Sequence, residues 1–305
     1  MNAPRRPPRR LVDGVLLLDK PLGLSSNDAL QKARRLFNAA KAGHTGTLDP
    51  LATGLLPLCF GEATKFAGEL LDADKTYLAT VRLGVTTETA DAEGRVLATR
   101  PVAVSDRQLA EALGRFTGDI DQLPPMHSAL KRDGKPFYEF ARQGVELERS
   151  RRRVTVHGLT LLGRREDCFE VEAVCSKGTY VRTLAADIGE ALGCGAHLAA
   201  LRRTGIGGLD VADAHSLAEL EARTPDGRDS LLLAVDALLG KVERADLSAA
   251  EMERILHGQP VRWIGGPMAR YRLYGSGGQF LGLGRMSADG WLNPRRLVAL
   301  ARGDD

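Results

Sequence analysis

Cysteine is scarce in this chain of 305 residues. The four cysteines lie at positions 59, 168, 175 and 194, and no two of them form a C-x-x-C pair. This spacing gives no zinc ribbon and no sign of a disulfide framework. We therefore expect Cys59, Cys168, Cys175 and Cys194 to be buried free thiols in a protein of the reducing cytoplasm.

Long apolar runs are missing as well. Runs such as residues 15–18 and 231–234 fall far short of the roughly 18–20 apolar residues that cross a bilayer, so we expect no membrane association. The chain begins with the basic, proline-rich sequence MNAPRRPPRR, which lacks the apolar segment of a signal peptide. We expect residues 1–10 to form a flexible arm and the protein to be cytoplasmic.

Several common catalytic signatures are also absent. The chain has no G-x-x-x-x-G-K-[ST] phosphate loop, no G-x-S-x-G nucleophile elbow, and no set of histidines, cysteines and carboxylates with zinc spacing. We therefore expect neither a cofactor nor a metal. The remaining groups suit a cofactor-free reaction on an RNA base, and they suit a module that only binds RNA equally well.

The most distinctive stretch that is present covers residues 43–54, GHTGTLDPLATG. Its glycines, threonines and proline disfavour the interior of a helix or strand, which predicts a rigid loop. Pro50 biases Asp49 towards an extended backbone, and the apolar residues 55–60 anchor the loop in a core. Asp49 is therefore a candidate reactive group, with His44 close by. A surface turn in which Asp49 only accepts backbone hydrogen bonds explains the same pattern.

Periodicity and capping signals predict the secondary structure. Strands are expected at residues 14–20, 75–83, 154–162 and 168–175, the last two as a hairpin. Helices are expected at residues 28–39, 62–71, 180–192 and 196–203, and after the capping boxes at residues 105–108 and 248–251. Alternation within residues 75–83 places Tyr77 on the apolar face of its strand, pointing inwards.

Charge is segregated along the chain, although the net charge is only +3. Residues 131–165 carry ten lysines and arginines against four acids, which suits a polyanion or, equally, a solvated basic face. Basic and aromatic side chains alternate in the irregular residues 122–153, as in an RNA-contacting insert. We place the main domain at residues 11–243 and predict a small, glycine-rich β domain at residues 246–305.

Three separated segments resemble the bacterial tRNA pseudouridine synthase B family. They are KPLGLSS at residues 20–26, GHTGTLDPLATGLL at 43–56, and SKGTYVRTL at 176–184, continuing to HLAALRR at 197–203. The segment PPMHSA at 124–129 also matches, except that His127 stands where the family often has tyrosine. The resemblance implies an α+β fold, with a mixed, mainly antiparallel central sheet, flanking helices and a C-terminal PUA-like β domain.

The resemblance also implies an activity, the isomerisation of the conserved T-loop uridine of tRNA, at position 55, to pseudouridine. Asp49 matches the family's nucleophile, and Arg182 matches the arginine that keeps this carboxylate charged and oriented. Tyr77 matches the tyrosine that stacks on the target base and is a candidate proton acceptor. A uridine inside a folded loop must be flipped out to reach Asp49.

Further residues are implied to bind the substrate. Tyr180 and Leu201 match residues that line the uridine pocket, and His44 matches one that packs beside the extruded nucleotide. Lys20, in the first matching segment, belongs to the same substrate-binding set. The insert and the C-terminal domain are expected to hold the tRNA backbone and acceptor stem. No obligate protein partner is implied, and we expect a monomer.

Two other functions account for some of the same residues. An RNA-binding or tRNA-folding module would use the basic surface without chemistry, and the combination of Asp49, Tyr77 and Arg182 speaks against that as the sole role. A hydrolase built on a His44–Asp49 pair would instead cleave the RNA. The binding module would leave the RNA unchanged and the hydrolase would cleave it, whereas isomerisation changes one base in an intact RNA.

Overall fold

The computed structural model describes residues 8–299, apart from residues 129, 133 and 265. The strands are β1 (Gly14–Lys20), β2 (Ala42–His44), β3 (Ala52–Phe60), β4 (Lys75–Leu83), β5 (Val85–Thr87), β6 (Val96–Thr99), β7 (Gly118–Gln122), β8 (Lys131–Arg132), β9 (Lys135–Pro136), β10 (Arg152–Arg165), β11 (Cys168–Cys175), β12 (Ala196–Ile206), β13 (Leu209–Asp210), β14 (His215–Ser216), β15 (Glu243–Asp246), β16 (Val261–Arg262), β17 (Arg270–Tyr274), β18 (Phe280–Met286) and β19 (Trp291–Leu297). The α-helices are α1 (Ser26–Leu36), α2 (Asp106–Arg115), α3 (Phe137–Arg142), α4 (Val181–Ala191), α5 (Leu217–Ala222), α6 (Pro225–Asp229) and α7 (Ala249–Leu256), and 3₁₀ segments cover Gly61–Leu70, Val211–Asp213 and Ala237–Leu239.

A ten-stranded mixed sheet organises the larger part of the molecule. Its main path is β14-β1-β3-β12-β4-β11-β10-β7, with β2 paired to β3 and β13 to β12. Most neighbours are antiparallel, while β12 runs parallel to β3 and β14 parallel to β1. This arrangement confirms the expected mixed, mainly antiparallel central sheet.

Two apolar clusters pack against this sheet and meet near its centre. One gathers residues of β4, β11, α2 and α4, and the other gathers residues of β1, β3, α1 and α5. Tyr77 and Leu201 pack against both clusters. The seam between the two halves of the core therefore lies where β4 and β12 run side by side.

The predicted helix at residues 196–203 is wrong, because these residues belong to β12. Alanine, leucine and arginine favour helices when a segment stands alone. Here β12 lies between β3 and β4 and forms ladders with both, so tertiary pairing overrides the local preference. Residues 42–44 and 52–54, at the two ends of the predicted loop 43–54, likewise join β2 and β3.

Most other predicted elements are confirmed. β1 and β4 have the predicted bounds, and β10 and β11 form the predicted hairpin. Both capping boxes are present, at α2 and α7. The helix expected at residues 62–71 is instead the 3₁₀ segment Gly61–Leu70.

The four cysteines are free, as predicted, and three of them are buried. Cys168 is only half-buried, which departs from the expectation. Burial raises the pKa of the Cys59 and Cys175 thiols to about 12, so both are inert as nucleophiles at neutral pH.

The predicted N-terminal arm is partly attached to the sheet domain. Arg10 forms a β-bridge with Ala39 and an ion pair with Asp229, so this end of the arm is anchored. Residues 1–7 of the arm lie outside the described residues. No helix in the described part of the chain is both long and apolar enough to span a bilayer.

A second, five-stranded sheet, β15-β17-β18-β19-β16, forms the C-terminal β domain. It packs on the 3₁₀ segment Gly61–Leu70, where Phe66 meets Phe280 with ring centroids 5.5 Å apart. Lys65 Nζ also donates to the Leu297 carbonyl at 2.9 Å. The C-terminal domain therefore rests on the segment that directly follows β3.

Candidate active site

The loop between β2 and β3 is held at several points by hydrogen bonds. Ser26, at the start of α1 and almost fully buried, accepts from the Leu48 N–H at 2.7 Å and donates to the Leu48 carbonyl at 3.0 Å. On the other side, the Ala52 N–H donates to the Asp49 carbonyl and the Gly23 N–H donates to the Pro50 carbonyl. The backbone around Asp49 is thus fixed, and this loop is no free surface turn.

The Asp49 carboxylate pairs with the Arg182 guanidinium. Arg182 lies in the first turn of α4 and is buried, and its Nε stands 3.0 Å from Asp49 Oδ2. The same guanidinium donates to the carbonyls of Thr89 at 3.2 Å and His127 at 2.7 Å. These three contacts are all to oxygen atoms, as a buried arginine requires.

Asp91 is the second carboxylate on Arg182, and the sequence analysis missed it. It is 2% exposed, and its Oδ2 lies 3.4 Å from Arg182 Nη1. Hydrogen bonds from the Thr89 hydroxyl and the Glu93 N–H fix Asp91 Oδ1. The stretch TTETADAEG at residues 86–94 carried the signal, because hydroxyls and a carboxylate at this spacing suit a side-chain-bonded turn.

Competing effects set the pKa of Asp49. Burial raises it above the ordinary value of an aspartate, and the negative charge of Asp91 adds to the rise. The positive charges of Arg182 and, less strongly, Lys20 lower it. Arg182 therefore offsets part of the cost of holding this carboxylate ionised in its cavity.

A cavity of about 260 Å³ opens above Asp49. Four predicted residues besides Asp49 line it: Tyr77, Tyr180, Arg182 and Leu201. Tyr77 points inwards as predicted, and burial raises its pKa above that of a free tyrosine. The main chain of Tyr180 is fixed by Gln122, whose side chain accepts from its N–H at 3.0 Å and donates to its carbonyl at 3.3 Å.

Lys20 and His44 stand outside the set of residues that line this cavity. Lys20 is fully buried, and its ammonium donates to the carbonyls of Leu24 at 2.6 Å and Pro21 at 3.0 Å. Burial lowers its pKa to about 8, against the opposing charge of Asp49. Lys20 thus acts on Asp49 through its field and holds the turn after β1.

His44 forms no pair with Asp49 among the described residues. Its Nδ1 is buried and has no hydrogen-bond partner there, and burial lowers the pKa of the imidazole. Asp49 pairs with Arg182 instead. The geometry therefore lacks the His–Asp unit that a hydrolase of the kind considered above would need.

Arg203 is a further residue at the cavity that the sequence analysis missed. It is 1% exposed, lines the cavity from β12, and donates through Nε to the Leu55 carbonyl at 2.7 Å. Its charge acts on the phenol of Tyr77 and lowers the pKa of that group, against the larger effect of burial. Two consecutive arginines in the sequence LRR are typical of an exposed surface, so the sequence does not predict that Arg203 is buried.

Solved structures identify the fold. The chain aligns with the protein in "Crystal Structure of a Cbf5-Nop10-Gar1 Complex" at a TM-score of 0.69 and 23% identity, covering 90% of this chain and 79% of that one. It aligns with "Structure of H/ACA RNP bound to a substrate RNA containing 2'-deoxyuridine" at a TM-score of 0.71 and 19% identity, covering 95% and 86%. The chain therefore shares its fold with these two proteins over most of its length.

Family models and relatives go further. Residues 34–181 match the TruB family pseudouridylate synthase N-terminal domain, residues 182–245 the tRNA pseudouridylate synthase B C-terminal domain, and residues 244–298 the C-terminal model of pseudouridine synthase II TruB. The tRNA pseudouridine synthase B of Azoarcus sp. (strain BH72) is 58% identical, covering 98% of this chain and 99% of that protein. That of Dechloromonas aromatica (strain RCB) is also 58% identical, covering 95% and 97%. The chain belongs to the TruB family, and it is an isomerase that acts on uridine in tRNA.

Proposed function

We propose that this enzyme converts the T-loop uridine at position 55 of tRNA to pseudouridine, with Asp49 as the nucleophile. The observation that carries the proposal is the position of Asp49, which lines the cavity together with Tyr77 and Tyr180 and has its carboxylate 3.0 Å from Arg182 Nε. A carboxylate fixed and charged in this way is ready to attack a substrate atom without an adjacent general base.

The reaction rearranges bonds without changing the oxidation state of the substrate. The C1′–N1 glycosidic bond breaks, the base turns, and C5 bonds to C1′. The proton on C5 is lost and N1 gains one. Attack by Asp49 on either the sugar or the base starts this sequence, and Arg182 holds the attacking oxygen in place.

Tyr77 has two roles in this proposal. Its ring forms a wall of the cavity on which the uracil stacks, as aromatic side chains commonly do with flipped bases. Its phenol oxygen accepts a proton from the base during isomerisation. Tyr180 and Leu201 complete the pocket, His44 packs beside the extruded nucleotide, and Lys20 belongs to the same substrate-binding set.

The rest of the molecule delivers the nucleotide to the cavity. The basic residues of the insert, about 122–153, and the C-terminal domain are proposed to bind the tRNA backbone and acceptor stem. The Arg182–His127 contact uses a main-chain carbonyl, so histidine at this position preserves it. We further propose that the enzyme is a cytoplasmic monomer with a catalytic unit at residues 11–243 and an RNA-binding unit at residues 246–305.

The test is tritium release from tRNA that carries 5-tritiated uridine, with the isosteric Asp49→Asn variant as control. We expect turnover by the native enzyme, none by the variant, and unchanged tRNA binding by both. Mapping of the product should place pseudouridine at position 55 in RNA of full length. Full turnover by Asp49→Asn, or modification only elsewhere in the tRNA, would contradict the proposal.

A further inference from the structure

Arg203 is a buried cation without a carboxylate partner. Among the described residues it forms no ion pair, and its Nη2, buried in the protein, has no hydrogen-bond partner. Its Nε donates to the Leu55 carbonyl, and its side chain also interacts with the neutral phenol of Tyr77. Arginine keeps its charge in proteins, and a buried charge without a counter-charge costs free energy. Such an arrangement suggests that the charge serves an anion which forms only at some stage of the reaction.

Among the described residues, the phenol of Tyr77 is the anion-forming group that interacts with Arg203. In the ladders of β12, Arg203 stands opposite Gly54 of β3 and opposite Tyr77 of β4. Its Nη1 lies close to the loop between β2 and β3 that bears Asp49, residues 45–51, which we call the nucleophile loop; it is 3.5 Å from where a Cβ on Gly46 would be. The guanidinium thus fills the space between the loop that bears Asp49 and the phenol of Tyr77.

The approach of β12 to β3 is made possible by a glycine. Gly54 has a φ of +96°, and a Cβ there would stand 2.3 Å from the Arg203 carbonyl oxygen. A side chain at position 54 would therefore push β12 away and take the guanidinium with it. The placement of Arg203 is built into the backbone and does not depend on a flexible surface rotamer.

We propose that Arg203 is a positioning residue for Tyr77, holding the phenol oxygen at the cavity wall and stabilising its anionic form. This inference rests on the proposed function. In the step concerned, C5 is already bonded to C1′ and still carries its proton. At this stage C6 is double-bonded to N1. The phenolate takes the C5 proton, the C5–H electron pair forms the C5–C6 double bond, the C6–N1 π pair moves to N1, and N1 is protonated. Tyr77 ends as the neutral phenol and returns its proton to solvent.

The effect of Arg203 on Tyr77 has a definite sign. A permanent cation favours the ionised phenol, and here it opposes the rise in the pKa of Tyr77 that burial causes and to which Cys175 and Asp49 add. Removing the cation raises the pKa of Tyr77 further. A smaller fraction of the enzyme then holds the proton acceptor in its active form at neutral pH, and the alkaline rise of the rate moves to higher pH.

The experiment is a double-mutant cycle of Arg203→Met and Tyr77→Phe, read by single-turnover tritium release across pH. We expect Arg203→Met to slow the native enzyme about tenfold or more, and to add less than about twofold once Tyr77 is phenylalanine. Arg203→Lys, which keeps the charge, should recover part of the rate. Arg202→Met is the matched control, because Arg202 is the next residue on β12 and pairs with Asp19 on the opposite face.

Two results would overturn the inference. One is an equal loss from Arg203→Met with and without the Tyr77 hydroxyl, and the other is a slower rate with an unshifted pH profile. Either would assign Arg203 a purely structural role. If Arg203→Met does not fold, a smaller shift of the alkaline limb in the same direction is sought with Arg203→Lys, whose ammonium lacks the guanidinium fork. An ultraviolet titration of Tyr77, taken as the difference from Tyr77→Phe, then gives the pKa directly. Turnover by Asp49→Asn would instead defeat the proposed function, so the two failures are distinguishable.

Discussion

Arg182 and Arg203 are both buried in the same cavity, yet their surroundings differ. Arg182 contacts two carboxylates and two carbonyl oxygens, so its charge is balanced before any substrate arrives. Arg203 contacts one carbonyl and a neutral phenol. The comparison separates two uses of a buried cation. Arg182 holds a carboxylate that is ionised before the reaction, and Arg203, on our proposal, stabilises an anion that forms during the reaction.

The largest expected effect comes from breaking the balanced side of this comparison. Arg182→Met leaves Asp49 and Asp91 without their shared cation, and one uncompensated buried charge costs about 3–5 kcal/mol of stability. We expect a lower midpoint in urea unfolding, together with loss of turnover by more than about hundredfold. Arg182→Lys should fold better and remain slow, because lysine lacks the fork that contacts both carboxylates. Native-like turnover by Arg182→Met would show that Asp49 needs no counter-charge.

Asp91→Asn tests the carboxylate behind Arg182. The amide keeps the shape of the side chain and removes a charge that repels Asp49, so the pKa of Asp49 should fall. Arg182 loses one of its two anionic partners and becomes less firmly held. We expect a loss of about 1–3 kcal/mol of stability and a turnover reduced about tenfold, measured by urea unfolding and tritium release. An unchanged rate would limit the role of Asp91 to folding.

The two arginines should also be distinguishable by pH. Activity requires ionised Asp49, whose pKa is raised, so the rate should fall with acid at a pH above the ordinary 3.8 of an aspartate. The weak residual rate of Arg182→Lys should show this acid limb at higher pH if contact with Asp49 is poorer. Arg203→Lys should leave the acid limb in place and alter only the alkaline side. If both variants shifted the same limb of the pH–rate profile, Arg182 and Arg203 would not have the different roles proposed here.

Ser26→Ala should give a smaller effect, because it loosens the nucleophile loop without touching a charge. The buried hydroxyl makes both of its hydrogen bonds to the main chain of Leu48, next to Asp49. Loss of the pair should cost about 1–3 kcal/mol of stability and several-fold in rate. Arg107→Ala, which removes an exposed ion pair with Glu111 on α2, should have the smallest effect. We expect the free energy of unfolding to change by no more than about 0.5 kcal/mol and the activity to stay native.

The sequence predicted one arginine of the comparison and missed the other. Asp49 and Arg182 were found through motifs that resemble a family, and the structure brings them into contact. Arg203 lies in a segment predicted as a helix, in which the side chains of residues 201, 202 and 203 would point in three different directions. As a strand, the segment directs Leu201 and Arg203 to the cavity and leaves Arg202 paired with Asp19. Only the pairing of β12 with both neighbours reveals this.

Asp91 was missed for a different reason. Its role depends on a turn that brings residue 91 against residue 182, and such distant contacts leave no periodic trace in the sequence. The strand limits of β1 and β4, by contrast, follow from local alternation and apolar runs, and both were predicted correctly. Local sequence patterns thus predicted the strands of the framework, whereas the charges around Asp49 are arranged by long-range contacts.

The order β3, β12, β4 in the sheet has a consequence for the precision of this enzyme. Gly54, near the end of the nucleophile loop, Arg203 and Tyr77 stand abreast on these three consecutive strands. Neighbouring strands lie about 4.8 Å apart, a spacing set by backbone hydrogen bonds and almost independent of side chains. The distance between the strand end beside the Asp49 loop and the main chain of Tyr77 is therefore set by the backbone hydrogen bonds of the sheet.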